Sequence, residues 1–370
     1  MPLSLTIKQV EGKPGQVYYP LYLKETPIPS PGPSQLLIKL SAAALNHRDL
    51  FIRQHLYPGI SFSHPLLADG YGTVTALGAL CSPQSHSLLH KPVLLTPLRG
   101  WLSDPLGPED NSAHYAVIGG AAQYDIGTGQ EYIVVDEGEV VPAPEHLTPA
   151  EGAALPLVGL TAWRALVSKS SNAQAGRNIL ITGIGGGVAL QALQFAVAMG
   201  VNVFVTSGDT AKISKAKEMG AVGGVVYRDA DWDKQLKTLL PSDRPFLDAV
   251  IDGAGGDIVS RTVKLLKSGG VIVVYGMTVG PKMDWSMLAV LKNIELKGST
   301  MGSRREFIDM VEFVREKGIR PVVSRVVVGL GNLEAIDGLF EDMKAGKQFG
   351  KLVIQIDGAP EGGRESPAKL

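Results

Sequence analysis

Two regimes of hydrophobic patterning divide the chain. Between 178 and 317, short apolar runs alternate with stretches in which apolar residues recur every three or four positions. The runs at 178–182, 202–206, 224–227, 246–252, 270–275 and 294–298 predict strands; 210–219, 231–240, 257–266 and 304–317 predict helices. Leu190, Leu193, Ala196 and Val197 give the helix after the first strand one apolar face. Strands alternating with helices predict an α/β unit with a parallel, doubly wound sheet. Before 178 the pattern changes. Residues 35–45 read as a strand, Gly and Pro recur at short intervals, and helical periodicity is scarce, which predicts a mostly β region. After 317 come a strand at 322–328, a helix at 333–344 and a strand at 351–356.

The most informative stretch is NILITGIGGGVALQALQFAVAMG, residues 178–200: a buried strand, a glycine-rich turn and an amphipathic helix in succession. Gly183, Gly185, Gly186 and Gly187 remove side chains where the backbone must turn sharply and approach a pyrophosphate. The following helix would aim its unpaired N–H groups at the phosphates. The spacing is Gly183-x-x-Gly186-x-x-Ala189 rather than a strict G-x-G-x-x-G.

Dinucleotide folds that prefer NAD place an acidic residue at the end of the second strand, where it holds the ribose 2′-hydroxyl and repels a 2′-phosphate. This chain has Ser207-Gly208, with Lys212 one turn into the next helix and Tyr227 ending the third strand. A hydroxyl, an ammonium and a phenol converging on a phosphate favour NADP(H). Asp209 has two readings: an N-cap ahead of Lys212, or a carboxylate near the ribose.

Taken together, AAALNHRDLFIRQHLYP (42–58), LLADGYGTVTALG (66–78), VVPAPEHLTPAEGAALPLVGLTAWRAL (140–166), the glycine turn, KAKEMGA (215–221), SGGVIVVYGM (268–277), GSR (302–304), RPVVSRV (320–326) and FGKLVI (349–354) resemble the medium-chain dehydrogenase/reductases. Within that family the chain is most similar to the zinc-independent quinone oxidoreductases and their alcohol-dehydrogenase-like relatives. The resemblance implies a GroES-like, mostly β catalytic domain at 1–145 and 325–358 and a Rossmann NADP(H)-binding domain at 146–324; the tail at 359–370, with no apolar face to bury, is expected to be disordered. The resemblance also implies cofactor contacts at Thr161, which would start a helix leading into the cleft, at Gly253 with Ala254, at Gly276 with Met277, at Gly302 with Ser303, and at Gly350 with Lys351. For Lys351 a solvated charge on an edge strand is an alternative.

The resemblance further implies where a catalytic zinc would sit. Its cysteine, histidine and cysteine positions are occupied here by Asn46, Ala68 and Leu157, and neither Ala nor Leu binds a metal. The chain has one cysteine, Cys81, which cannot build a structural zinc lobe, and no HxxxH-type pair is expected on a helix. No metal site is expected, so the family chemistry becomes hydride transfer to an already polarised electrophile, a quinone or an α,β-unsaturated carbonyl. Asn46 is either a donor to the developing oxygen or nicotinamide, or a structural amide. Tyr57 is either a proton donor or a pocket wall. Phe51 stands where relatives often have a second tyrosine. Asp69 is expected to fix Arg48 or a turn.

Composition narrows the partners. A formal net charge of −1 without a basic stripe argues against nucleic acid, and no run is long enough to span a membrane. The N-terminus lacks a signal core, pointing to a cytoplasmic enzyme with a small-molecule electrophile as partner. The Gly/Pro-rich stretch 81–129 is expected to be a long loop beside the cleft. The strand at 294–298 resembles the edge through which relatives form homodimers. The terminal Ala368-Lys369-Leu370 resembles a peroxisomal import signal or is a chance ending; as a signal it would shift the substrate towards enoyl compounds. Three readings stand: an NADPH-dependent enone or quinone reductase, a metal-free carbonyl reductase or alcohol dehydrogenase, and an NADPH-binding sensor or structural protein without turnover.

Overall fold

The computed structural model describes residues 1–110 and 113–357, so the terminal Ala368-Lys369-Leu370 and the 359–370 tail lie outside the described residues. The chain forms two compact units. The first contains 1–100, 112–156 and 323–370; the second contains 101–111 and 157–322.

In the first unit an antiparallel pair of strands, Leu3–Ile7 and Leu21–Glu25, precedes strand β1 (Gln35–Ala44), helix α1 (His47–Arg53), and strands β2 (Asp69–Leu77), β3 (Pro92–Leu95), β4 (Tyr132–Asp136) and β5 (Val140–Pro142), then helix α2 (Pro149–Ala153). The second unit holds helix α3 (Pro156–Trp163), whose first residue belongs to the first unit, and a continuing π-helical turn, Arg164–Lys169. Then come β6 (Asn178–Ile181), α4 (Gly187–Ala198), β7 (Asn202–Ser207), α5 (Thr210–Glu218), β8 (Gly223–Val226), α6 (Trp232–Leu239), β9 (Leu247–Asp252), α7 (Ile258–Thr262), β10 (Leu266–Val274), β11 (Glu295–Gly298) and α8 (Arg304–Lys317). The chain returns to the first unit as β12 (Val323–Val328), α9 (Leu333–Lys344) and β13 (Lys351–Gln355).

The second unit carries the six-stranded sheet that the alternating pattern predicts, in the order β8-β7-β6-β9-β10-β11, every neighbouring pair parallel. Strand order reverses between β6 and β9, where doubly wound sheets open a ligand crevice at the carboxyl ends of the strands. All four residues of β6 are buried, as a strand covered on both faces requires. Leu190, Leu193 and Ala196 of α4 are buried and Val197 is half-buried, so the apolar face read from spacing does face inward. β11 is the sheet edge, as expected of 294–298.

The first unit carries a mixed sheet in the order β12-β13-β1-β2-β3-β5, with β4 also paired to β1. β1 is its centre: only Lys39 of its ten residues is exposed. Ile336, Leu339, Phe340 and Met343 of α9 join the core at three- and four-residue spacing.

Three expectations are corrected. The helix expected over 257–266 stops at Thr262, and β10 starts at Leu266, earlier than the expected 270, because Leu266 pairs with Leu247 through a register shift and Lys267 reaches Asp248 (3.1 Å). The 81–129 stretch is not one loop: its buried Val93, Leu94 and Leu95 form β3, paired to β2 and β5. Within it, 101–110 packs with the second unit. Thr161 does not start a helix; it lies near the end of α3 and donates to Leu157 O (2.7 Å).

Candidate active site

The glycine turn joins β6 to α4 as the sequence implies. Gly186 is the N-cap and Gly187 the first helical residue. Gly183 (φ 67°) and Gly185 (φ 115°) adopt backbone that side chains resist, and a Cβ on Gly185 would sit 2.8 Å from Lys212 Cδ. The N–H groups of Gly183 and Ile184 are tied to Thr206 of β7, which fixes the loop against the sheet. The N-terminus of the 12-residue α4 is thereby set beside a turn without side chains, an arrangement suited to a pyrophosphate.

At the end of β7 the residues separate by role. Asp209 caps α5, accepting from the Ala211 N–H (2.8 Å). Ser207 is buried and its hydroxyl is used in the turn, donating to Ile184 O and accepting from Asp209 N–H, so it is not the outward donor expected. Lys212 lies over Gly185; burial, ahead of the opposing pull of Asp209, lowers the pKa of its ammonium. Gly208 is flanked by Tyr227 Oη and by the guanidinium of Arg228, 2.7 and 3.2 Å from where a Cβ would stand. Arg228 was missed in the sequence because it lies beyond the strand that Tyr227 was expected to end.

The crevice floor rests on another missed residue. Asp252, fully buried at the end of β9, accepts from Thr182 Oγ1 (2.6 Å) and from the N–H groups of Ala254 and Gly255. Burial raises its pKa against these bonds. Gly253 packs against the ring of Tyr275, whose phenol burial and then the Asp252 charge hold above its usual range. Gly276 and Met277 follow β10 and line a pocket with Gly298 and Ser299. Gly302 packs against Leu160. Ser303 caps α8, so its hydroxyl is engaged with Glu306 rather than free for a cofactor.

In the first unit the sequence candidates gather into a buried polar cluster. Lys351 of β13 donates to Leu45 O (2.7 Å), Asn46 Oδ1 (2.6 Å) and Asp69 Oδ2 (2.7 Å), and Asn46 Nδ2 donates to the same Asp69 oxygen (2.8 Å). All three residues are buried, Asp69 completely. Lys351 therefore uses its three N–H groups inside the unit, which corrects the alternative of a solvated edge charge. Asp69 holds Asn46 and Lys351. Arg48 binds Asp49 and the carbonyls of Ile118 and Gly119, and its guanidinium covers the ring of the half-buried Tyr57 at 4.7 Å.

Asp49 lies beside this cluster, fully buried, and accepts from the Asn46 N–H (2.7 Å). Burial pushes its carboxyl up to about 6, with Arg48 opposing. A folded-state pKa above the unfolded value means the folded chain binds the extra proton, so this group's contribution to stability falls as pH rises from about 4 to about 6 and then levels off. In Asp49→Asn that component of the pH dependence should vanish. Thermal unfolding at intervals from pH 4 to 7 checks it: an unchanged pH profile in the variant would place the titration elsewhere.

Residues 32–145 match the alcohol dehydrogenase GroES-like domain, and 187–316 the zinc-binding dehydrogenase domain. A zinc-type alcohol dehydrogenase-like protein of Leptosphaeria maculans, YogA, is 60% identical over 359 residues, 96% of this chain and 100% of that protein. The chain belongs to the medium-chain, alcohol dehydrogenase-like dehydrogenase/reductase family. The crystal structure of an NAD-dependent alcohol dehydrogenase aligns with a TM-score of 0.82 at 28% identity, covering 96% of this chain and 100% of the other. The crotonyl-CoA carboxylase/reductase AntE in complex with NADP shares the fold, with a TM-score of 0.78 at 20% identity over 96% and 94% of the two chains. The two units are thus a GroES-like domain and a Rossmann domain of a nicotinamide-dependent oxidoreductase family.

The donor set expected of a zinc-binding member does not fit a metal here. Asn46 is the one polar residue of the three, and its carbonyl oxygen already accepts from an ammonium. Ala68 and Leu157 are buried and apolar. Among the described residues no three His, Cys, Asp or Glu side chains are grouped to hold an ion.

Proposed function

We propose that the protein is an NADPH-dependent reductase of quinones or α,β-unsaturated carbonyls that works without zinc. The observation that carries this reading is the Asn46–Asp69–Lys351 cluster. An ammonium neutralises the acidic residue, and the family's metal positions offer no donor set able to polarise an unactivated carbonyl. An acceptor already conjugated does not need that Lewis acid.

Bound NADPH would supply a hydride, two electrons and one proton equivalent, to the electrophilic carbon; the acceptor oxygen then carries the negative charge until a proton completes the reduction. The chain's part is to orient the acceptor and stabilise that oxygen. Asn46 is oriented by two fixed bonds and keeps its second amide N–H without a partner among the described residues. The Tyr57 hydroxyl also makes no hydrogen bond there, and the Arg48 guanidinium lies over its ring. These are the two donors proposed for the oxygen. NADPH over NADH is supported by the absence of a carboxylate at Ser207-Gly208, by the use of Asp209 as a cap, and by the Arg228 guanidinium beside Gly208.

The test follows NADPH consumption by metal-stripped protein with a quinone, a 2-enone and a simple aldehyde, with NADH in parallel. Turnover of the conjugated acceptors, at least about tenfold more efficient than of the aldehyde as one lost activating interaction implies, is expected. Turnover of the aldehyde alone would favour the carbonyl reductase reading, and NADPH binding without turnover would remove the enzyme assignment.

A further inference from the structure

The Rossmann domain has a pocket of about 430 Å³ at the carboxyl ends of β10 and β11, roofed by the 101–108 segment. That volume suits a small organic ligand. The roof is fixed by three devices. Arg164, buried and paired with Glu306, donates to Pro105 O (2.9 Å) and Leu106 O (3.4 Å) and lies 4.3 Å from the Trp101 ring. The carbonyls of Trp101 and Leu102 accept from the N–H groups of Arg304 and Arg305 at the start of α8. Glu109 accepts from the N–H groups of Leu102, Ser103 and Asp104.

Two polar groups inside this frame have no hydrogen-bond partner among the described residues. Ser299 is 92% buried by its 8% relative exposure, and its Oγ has no hydrogen bond there. A buried hydroxyl left so costs free energy unless a ligand or water completes it. Lys169, half-buried at the end of the π-helical turn, lines the same pocket and makes neither a hydrogen bond nor an ion pair among the described residues. Trp101, Leu106 and Met277 supply apolar surface.

We propose that this pocket selects a conjugated acceptor that carries a carboxylate, its apolar body against Trp101, Leu106 and Met277 and its carboxylate held by Lys169 and Ser299. The inference rests on the reductase reading for the acceptor and on the pocket alone for the charge. Burial first, and then the charge of Arg164, lower the Lys169 pKa, while Glu306 opposes them. An anion beside Lys169 would relieve that cost. Gly276 and Met277, expected at the cofactor, border the pocket, so the acid-binding residues share it with expected cofactor contacts.

The experiment compares an enone bearing a distal carboxylate with its methyl ester, using the full chain and NADPH. In the wild type, KM should be lower for the acid; in Lys169→Gln the acid-to-ester KM ratio should rise about tenfold, as loss of a charge-assisted bond implies. Lys169→Arg should keep most of the preference, and Ser299→Ala should shift the ratio in the same direction by less. An unchanged ratio in Lys169→Gln, with both compounds reduced, would overturn the inference and leave the reductase reading standing. If neither compound is reduced, calorimetric titration decides. Acid that binds the wild type and loses affinity in Lys169→Gln supports the pocket while removing the reductase reading; acid that binds neither, or both alike, overturns the inference.

Discussion

Lys351→Met is expected to destabilise the protein by about 3–5 kcal/mol, the usual cost of removing one partner from a buried ion pair. The side chain keeps nearly its length, so packing changes little. What is lost is the ammonium that meets Leu45 O, Asn46 Oδ1 and Asp69 Oδ2. Asp69, with no exposed surface, would lose the ammonium at its Oδ2, and the Asn46 amide that shares this oxygen brings no charge to replace it. Lys351 also helps to hold down the Asp49 carboxyl, so the loss spreads to a second buried acid. Adding Asp69→Asn to Lys351→Met should recover a large part of the stability, because a neutral pair carries no uncompensated charge. Calorimetric melting of the two variants tests this. A loss below about 1 kcal/mol for the single variant, the range of a solvent-screened pair, would mean that water reaches the cluster and that it does not rigidly hold Asn46.

That cluster also marks where sequence reading stops. The doubly wound sheet was legible because its inner strands are short apolar runs and the helices between them keep three- and four-residue spacing; the bounds expected for α8 and α9, 304–317 and 333–344, are those observed. The glycine turn was legible because φ values such as those of Gly183 and Gly185 leave a compositional trace. Lys351 was named in the sequence, but its partners lie 282 and 305 residues away, and no local pattern encodes a contact closed by the return of the chain into the first unit. Asp69 was expected to fix Arg48 or a turn; the return of β13 brings Lys351 to its carboxylate instead of leaving it to local partners. Asp252 and Arg228 were missed for a related reason. Each sits at a strand end, where a polar residue is unremarkable until the neighbouring strand supplies Thr182 or Gly208. Ser207 was read as a hydroxyl facing a phosphate and Ser303 as a cofactor contact; Ser at a turn or a helix start has a competing local use, bonding to the backbone, and both hydroxyls make that bond here.

Arg228 and Lys212 should affect the cofactors differently. Arg228 flanks Gly208 at the end of β7, where a 2′-phosphate would lie in the proposed NADPH complex, and Lys212 lies over Gly185 in the turn proposed for the pyrophosphate. A 2′-phosphate is what distinguishes NADPH from NADH, whereas the pyrophosphate is common to both. Arg228→Ala should therefore weaken NADPH by about 10- to 100-fold, the loss of one charge-assisted contact worth about 1.5–3 kcal/mol, while moving NADH far less. Lys212→Ala should weaken both cofactors, and by a factor less sensitive to which one is bound. Tyr227→Phe separates the phenol from the guanidinium: it removes the hydroxyl at Gly208 and leaves the ring beside Arg228, so a small effect would assign the discrimination to the cation. Fluorescence titration of NADPH and NADH against the three variants gives the affinities without requiring an electron acceptor, so the outcome does not depend on finding the substrate. Equal affinities of the wild type for the two cofactors, with Arg228→Ala moving both in step, would remove the NADPH preference and return Asp209 to consideration as a ribose contact. A loss confined to NADPH would locate the preference at the end of β7, in a residue one place beyond the Tyr227 that the sequence singled out.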